Sequence, residues 1–421
     1  MEVMRGIHLS PADREITMKY VVVLGDGMAD YPMKELDNKT PLQYAKKPNI
    51  DMLAKKGTVG LVKTIPEGIP PGSDAANLSV MGYNPQIYYT GRSPLEAVSM
   101  GIDLLPTDVA LRCNLVYLSE DEADYADKTM IDYSSDEIST EEARILIEAV
   151  NAALKSESIN FYPGISYRHC LVWSNGKTGL GCTPPHDILE RKVTGYLPKE
   201  ESGMLLDLMI KSYDILKDHP VNLSRRARGL RPANSIWLWG EGRKPALASF
   251  SEKYGKSGTM ISAVDLLKGI GLCAGLESVD VEGATGNIHT NFIGKANAAI
   301  AELDSGKDFV YVHVEAPDEC GHRYEIENKV KSIEYLDQRI VAPILEGLKK
   351  HRDYRVLVLP DHPTPLSLRT HTSEPVPFII YDSTREVASE AQCYDEAEAG
   401  KTGIFVGEGY KLMDWFITGK L

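Results

Sequence analysis

The chain contains no apolar run of membrane-spanning length, no basic stretch large enough to offset its acidity, and no closely spaced cysteine pair. Each absence excludes something. A helical span needs about 20 consecutive apolar residues, so no membrane partner is expected. Lysine and arginine number 46 against 60 aspartates and glutamates, a formal net charge of -14. That argues against general binding to nucleic acid or acidic lipid, while leaving room for a local basic pocket. The six cysteines, Cys113, Cys170, Cys182, Cys273, Cys320 and Cys393, show no C-x-x-C spacing. They suggest neither a zinc knuckle nor a disulfide framework and suit a reducing compartment. Residues 1–17 lack the apolar segment of a signal peptide and read as a leader before a natural start at Met18, so a cytoplasmic location is expected. The glycines of GDGMAD and GEGRKP do not extend to G-x-G-x-x-G, and G-x-x-x-x-G-K followed by Ser or Thr does not occur. Nucleotide binding therefore has no support of the usual kind.

What is present is an ordinary globular composition, 43% hydrophobic and 25% charged over 421 residues, enough for a real core and two or three domains. Three β-branched runs stand out: YVVVLGDG from Tyr20, DFVYVHVEAPDECGH from Asp308 and YRVLVLPDH from Tyr354. Near-continuous apolar runs of this kind are typical of parallel strands buried on both faces. Helical patterns separate them, which predicts a doubly wound α/β sheet, mostly parallel. The middle differs, with acidic turns, a Pro-rich CTPPHDI and isolated strand-like runs such as ISYRHCLVW. We expect residues 109–254 to form an inserted α+β domain, with 18–108 and 255–421 forming the core.

The strand ends carry the chemistry, because open α/β sheets gather ligands beyond the carboxyl ends of their strands. Asp26 follows the first run, Asp318 and His322 the second, and Asp361 and His362 the third, with His371 further on in LRTHTSEP. Singly, each reads as a turn or cap residue. Together they form a mixed oxygen and nitrogen set that suits Mn²⁺, Zn²⁺ or Co²⁺ better than Ca²⁺. On a helix, the i,i+4 spacing of Asp318 and His322 would aim both at one ion. Ser73, in IPPGSDAANLSV, has two readings: a helix cap after a Pro-Gly turn, or a nucleophile at the positive end of a helix.

GDG with Asp26, GSDAAN with Ser73, PDECGH and PDH…TH stand in the order found in the alkaline-phosphatase superfamily. With YTGRSPLEA, YRHCLVW, TPPHDI, PANSIWLW and ISAVDLLKGIG, the chain from Lys19 to Leu421 resembles the archaeal-type cofactor-independent phosphoglycerate mutases. The resemblance implies an alkaline-phosphatase-like core and two divalent ions, Mn²⁺ foremost, with Zn²⁺, Co²⁺ or Mg²⁺ as alternatives. One ion would be held by Asp26, Ser73, Asp361 and His362, the other by Asp318, His322 and His371. Ser73 would then be both cap and nucleophile. The implied reaction interconverts 3-phosphoglycerate and 2-phosphoglycerate without bisphosphoglycerate; a kinase acting on homoserine and a phosphate monoesterase are the alternatives.

A mutase must exclude water and hold its substrate's carboxylate and phosphate with cations. The inserted domain offers Arg168, His169, His186 and Asp187, with Arg92 just before it. His169 resembles a substrate-binding histidine of the family, although a structural histidine beside a strand is equally expected. Arg225, Arg226, Arg228 and Arg231 form a basic cluster whose ordinary reading is a solvated face.

Overall fold

The computed structural model describes residues 18–199 and 202–420; the expected leader lies outside them. The strands, in chain order, are β1 (Lys19–Gly25), β2 (Thr58–Val62), β3 (Val109–Leu118), β4 (Met130–Asp132), β5 (Ile159–Tyr162), β6 (Arg168–Trp173), β7 (Ser235–Arg243), β8 (Gly258–Ile261), β9 (Glu277–Ser278), β10 (Phe309–Val314), β11 (Tyr354–Leu359), β12 (Val376–Asp382) and β13 (Phe405–Val406). They form an eight-stranded sheet, ordered β13-β2-β12-β11-β1-β10-β8-β9, and a five-stranded sheet built on β3.

In the larger sheet β1 pairs in parallel with β10 on one side and β11 on the other. These are the three β-branched runs, and all of β1 is buried, as its unbroken apolar sequence requires. Val21 and Val23 face a core shared with helices Pro48–Lys56, Phe292–Asp304 and Ile326–Leu336. On the opposite face the Tyr20 ring meets Phe416 of helix Lys411–Thr418 edge-on, and its hydroxyl donates to Ile417 O. Helices therefore cover both faces, as a doubly wound sheet demands. β12 reverses direction, antiparallel to both β11 and β2. Because β1, β10 and β11 run the same way in adjacent register, their carboxyl ends emerge together.

The chain falls into two compact units. The first contains the larger sheet. The second comprises Tyr88–Leu247 and Lys268–Cys273, so its main segment begins before the expected residue 109 and ends before residue 254. Packing explains both edges. Helix Ser93–Ser99 belongs with β3 and β7, where Ser93 Oγ accepts from Arg112 N–H at 3.1 Å and donates to Gly240 O. Phe250 instead stacks on Phe309 of β10, centroids 4.4 Å apart. In the second unit β3 pairs antiparallel with β4, β6 and β7, and β6 with β5. One face of this sheet is covered by helices Thr140–Leu154 and Gly203–Leu216, with Leu111, Cys113, Leu115 and Leu171 in the shared core.

A buried ion pair ties the loop after β1 to the loop after β11. Lys329 Nζ lies 2.7 Å from Asp30 Oδ2, both side chains fully excluded from solvent, and also donates to Thr364 O at 2.7 Å. Asp30 accepts from Leu366 N–H. The Asp30 amide in turn donates to Glu396 Oε1, whose second oxygen accepts from Thr40 Oγ1. Burial raises the Glu396 carboxyl to about 7.

Removing one partner of a buried pair strands the other charge. Lys329→Met should lower unfolding stability by about 3–5 kcal/mol, measured by denaturant titration; a change within about 0.5 kcal/mol would show that the pair contributes nothing net. Glu396 makes a pH prediction. The folded carboxyl keeps its proton above the usual 4.5 up to about 7, so the native state binds more protons than the unfolded chain in that window. Stability contributed by the protonated form is thus present below pH 4.5 and is lost as pH rises toward 7, by about 3 kcal/mol. Glu396→Gln should flatten that slope in unfolding measurements across the window; an unchanged slope would reject Glu396 as its source.

Candidate active site

The residues after β1, β10 and β11 converge. Asp26 directly follows β1. Asp318 and His322 lie on helix Ala316–Arg323, which starts two residues past β10, and Asp361 and His362 follow β11. Asp318, His322 and His371 form one group whose ligand atoms all lie within 4.8 Å of one another, and Asp26, Asp318 and His362 form a second. Asp318 is common to both.

The imidazoles are oriented. His322 Nδ1 donates to Arg369 O at 3.0 Å, His362 Nδ1 to Pro363 O at 3.3 Å and His371 Nδ1 to Pro71 O at 3.4 Å. With Nδ1 carrying the proton, each ring turns the lone pair of Nε2 inward. His322 Nε2 and His371 Nε2 face each other at 2.9 Å, each 3.3 Å from an Asp318 oxygen. His362 Nε2 lies 3.5 Å from both Asp26 Oδ1 and Asp361 Oδ2. Acceptors therefore face acceptors, and buried Asp26 Oδ1 has no hydrogen-bond partner. Such a set calls for positive charge, and its chemistry fits a divalent ion of the N/O-binding kind.

The titration behaviour points the same way. Burial and the neighbouring Asp361 and Asp318 carboxylates push the Asp26 carboxyl well above the usual range. At Asp318 burial works against the charge, but hydrogen bonds from His322 and His371 prevail and hold the carboxyl well below that range. His322, bonded to Asp318, is raised to about 9: a proton occupies the place of a cation.

Ser73 is the first residue of helix Ser73–Val80, and Gly72 holds the cap position. The hydroxyl therefore does not cap the helix, contrary to expectation. It points instead toward His362 Nε2 at 3.1 Å and Asp26 Oδ2 at 3.4 Å. One turn on, Asn77 Nδ2 donates to both Ser73 O and Asp361 Oδ2 at 2.8 Å, while its oxygen accepts from Tyr311 OH. Asp361 Oδ1 accepts from the amides of Gly27 and His362.

The family model for 2,3-bisphosphoglycerate-independent phosphoglycerate mutase matches residues 54–222. A relative from Geobacter sulfurreducens, named as a probable enzyme of that kind, is 51% identical over 95% of this chain and 100% of its own length. One from Methanosarcina barkeri, named as such a mutase, is 50% identical over 96% of this chain and 100% of its own. The chain belongs to this family. A cofactor-independent phosphoglycerate mutase from Thermoplasma acidophilum superposes with a TM-score of 0.66 at 25% identity, covering 95% of this chain and 99% of its own. A solved protein from Pyrococcus horikoshii gives a TM-score of 0.80 at 28% identity, covering 96% and 97%.

The candidate residues of the second unit divide by sheet face. His169, opposite Cys113 in the pairing of β3 with β6, is buried on the helix-covered side. Its Nδ1 accepts from Gly164 N–H at 3.0 Å, and burial lowers the imidazole to about 3. It therefore lies in the core of the second unit. Arg168, one residue earlier, lies on the other face opposite Asn114. That face also carries Arg112, which pairs with Glu96 and stacks 4.7 Å from the Trp239 ring centroid. His186 packs edge-on to Trp239 and Tyr133 and lies 3.7 Å from Asp187. Arg92 is exposed before helix Ser93–Ser99. The basic cluster is internally neutralised: Arg225 and Arg228 pair with Glu142, Arg226 with Glu120 and Arg231 with Asp132.

Sequence reasoning missed Asn77, Arg112, Thr364 and His313. Thr364 Oγ1 donates to Asp318 Oδ1, and His313 Nε2 lies 3.0 Å from Asp26 Oδ2. The signals existed for two of them: Asn77 is four residues from Ser73 on one helix, and polar Arg112 and Asn114 alternate with apolar neighbours along β3.

Gly27, at φ +60°, passes so close to this set that a Cβ would lie 2.7 Å from Asp318 Oδ1 and 2.9 Å from Asp318 Cα. Gly27→Ala combines a left-handed backbone with overpacking and should cost about 2–5 kcal/mol, read from denaturant midpoints. A loss under about 1 kcal/mol would mean the approach relaxes without strain.

Proposed function

We propose that this protein interconverts 3-phosphoglycerate and 2-phosphoglycerate without bisphosphoglycerate, passing the phosphoryl group through Ser73. The observation that carries this reading is the Ser73 hydroxyl, at the start of a helix and 3.1 Å from His362 Nε2, beside two overlapping sets of metal-type donors. Family membership supplies the reaction, and the hydroxyl supplies the acceptor.

Two divalent ions, Mn²⁺ foremost, would be held by Asp26, Ser73, Asp361 and His362 and by Asp318, His322 and His371. When bound, such ions lower the pKa of a hydroxyl and neutralise charge on transferring phosphoryl oxygens. The rest falls to the chain. Ser73 Oγ attacks phosphorus as its proton passes to Asp26, the bond from phosphorus to the glycerate oxygen breaks, and that oxygen takes up the proton to become a hydroxyl; the return transfer runs the same proton path in reverse. The Ser73 proton starts on the side of Asp26, whose Oδ2 is 3.4 Å away. The phosphoserine sits at a helix N-terminus, where backbone N–H groups favour anionic oxygens. Asn77 holds Ser73 and Asp361 in fixed relation, so attack needs little reorganisation. Glycerate then turns, its other hydroxyl attacks the phosphoserine, and the bond to Ser73 Oγ breaks. We assign substrate contacts to Arg168, His186, Asp187 and Arg92, with Arg112 and Asn114 on the same sheet face as Arg168; His169 is left out because it is buried on the other.

The test is phosphorus NMR of the Mn²⁺-loaded protein with 3-phosphoglycerate, without bisphosphoglycerate or nucleotide. 2-Phosphoglycerate should form, and Ser73→Ala should slow its formation at least about a thousandfold. Release of inorganic phosphate alone, or turnover only with ATP and an alcohol acceptor, would overturn the reading.

A further inference from the structure

A buried histidine that the phosphoryl chemistry does not use stands behind the site. His313 lies within β10, in parallel register with Leu24 of β1, and is fully buried. A titratable side chain in so apolar a strand needs a partner at each ring nitrogen, and it has both. Nε2 lies 3.0 Å from Asp26 Oδ2, and Nδ1 lies 3.0 Å from Ser262 Oγ, one residue beyond β8. Ionised Asp26 only accepts, so the ring proton sits at Nε2 and Nδ1 accepts from the Ser262 hydroxyl, whose oxygen also accepts from Val264 N–H at 3.0 Å. The imidazole then carries its own proton at Nε2 and donates it to Asp26. Three strand ends are thus joined in one chain of donors, Ser262 to His313 to Asp26.

This chain of bonds treats the two oxygens of Asp26 unequally. Oδ2 is held by the imidazole. Oδ1 has no hydrogen-bond partner among the described residues and lies 3.5 Å from His362 Nε2, a member with Asp26 of the same donor group. A carboxylate without such a hold would turn about its terminal bond, which is soft for an sp³–sp² torsion. The backbone around His313 is fixed as well, since its carbonyl accepts from buried Lys295 Nζ at 2.8 Å.

We propose that His313 is a positioning residue: by donating to Asp26 Oδ2, with its tautomer set by Ser262, it aims Asp26 Oδ1 at the metal ion. The inference rests on the reading that Asp26 holds an ion. Its scope is one of the two groups, because Asp318, His322 and His371 take their orientation from Thr364, Arg369 and Pro71 instead. Outer partners of this kind change metal affinity by about 10–100-fold when removed.

The experiment is Mn²⁺ titration of the chelator-stripped full chain, followed by the electron paramagnetic resonance signal of free Mn²⁺, with thermal melts of each variant in the absence of metal. His313→Leu removes the donor, whereas His313→Gln keeps an N–H at the position of Nε2. Affinity at one site should fall about 10–100-fold in His313→Leu, stay within about threefold of the parent in His313→Gln, and remain unchanged at the other site in both. Should His313→Leu fail to fold, Ser262→Ala carries the test, with an expected loss of about threefold or more at that same site. Equal affinities in parent and His313→Leu would overturn the proposal. So would equal loss at both sites, or His313→Gln as weak as His313→Leu. Absence of Mn²⁺ binding by the unsubstituted chain would overturn the metal reading itself, and this inference with it.

Discussion

Lone pairs pointed at lone pairs govern this molecule. Asp26, Asp318 and Asp361 are held almost wholly out of water, where isolated carboxylates cost several kcal/mol each even after relaxation. The three imidazoles that surround them, when neutral, add acceptors rather than charge, because each spends its Nδ1 proton on a backbone carbonyl. Nothing in the core of an ordinary protein is built this way without compensation. Part of that compensation is local: the amides of Gly27 and His362, together with Asn77, donate three hydrogen bonds to Asp361. The remainder falls on a cation, and the raised proton affinity of His322 beside Asp318 shows where it is wanted.

The sheet makes this concentration of charge possible. Strands β1, β10 and β11 are adjacent and parallel, so each delivers its following residue to the same edge. A site on three loops would drift; here Asp26, Asp318, Asp361 and His362 each lie within four residues of the end of a largely buried strand. Lys329 then pins the two flanking loops through Asp30 and Thr364. The buried pair contributes less through net stability than through the fixed distance it sets between the loop of Asp26 and that of His362, since a buried charge pair is often no more stabilising than an apolar replacement.

Much of this was legible beforehand. Asp26, Asp318 and the Asp361–His362 pair stand directly after β-branched runs, so their convergence follows from the parallel pattern alone. His371 has no such marker, and only the order of motifs singled it out. What escaped did so for identifiable reasons. Ser73 looks the same to sequence reading at the cap position or one residue later, yet only the later position frees its hydroxyl for His362. Arg168 and His169 are neighbours on a strand, so they occupy opposite faces, and the residue names do not say which face is open. His313 resembles a core position because it is one; its partner is distant in sequence and adjacent only through strand pairing. The domain edge near Tyr88 was hidden because helix Ser93–Ser99 declares its allegiance through Ser93, Arg112 and Gly240, contacts that no local pattern records.

The two aspartates beside Ser73 divide the work. Asp361 is held at both ends: Oδ1 accepts twice and Oδ2 once, all from groups on its own unit, so its position hardly depends on what binds while one lone pair of Oδ2 stays open. Asp26 is held at Oδ2 and open at Oδ1, so it completes its bonding only when a cation arrives. A site made wholly of residues like Asp361 would be rigid and less attractive to a metal, since most of its lone pairs are already engaged. One made wholly of residues like Asp26 would attract a metal strongly but collapse or take up protons without it. Mixing the two gives a frame that survives an empty state and an opening directed at one place. That opening lies next to the Ser73 hydroxyl, and so, in the proposed mechanism, the charge that would relieve the buried carboxylates would also reach the oxygen assigned as nucleophile.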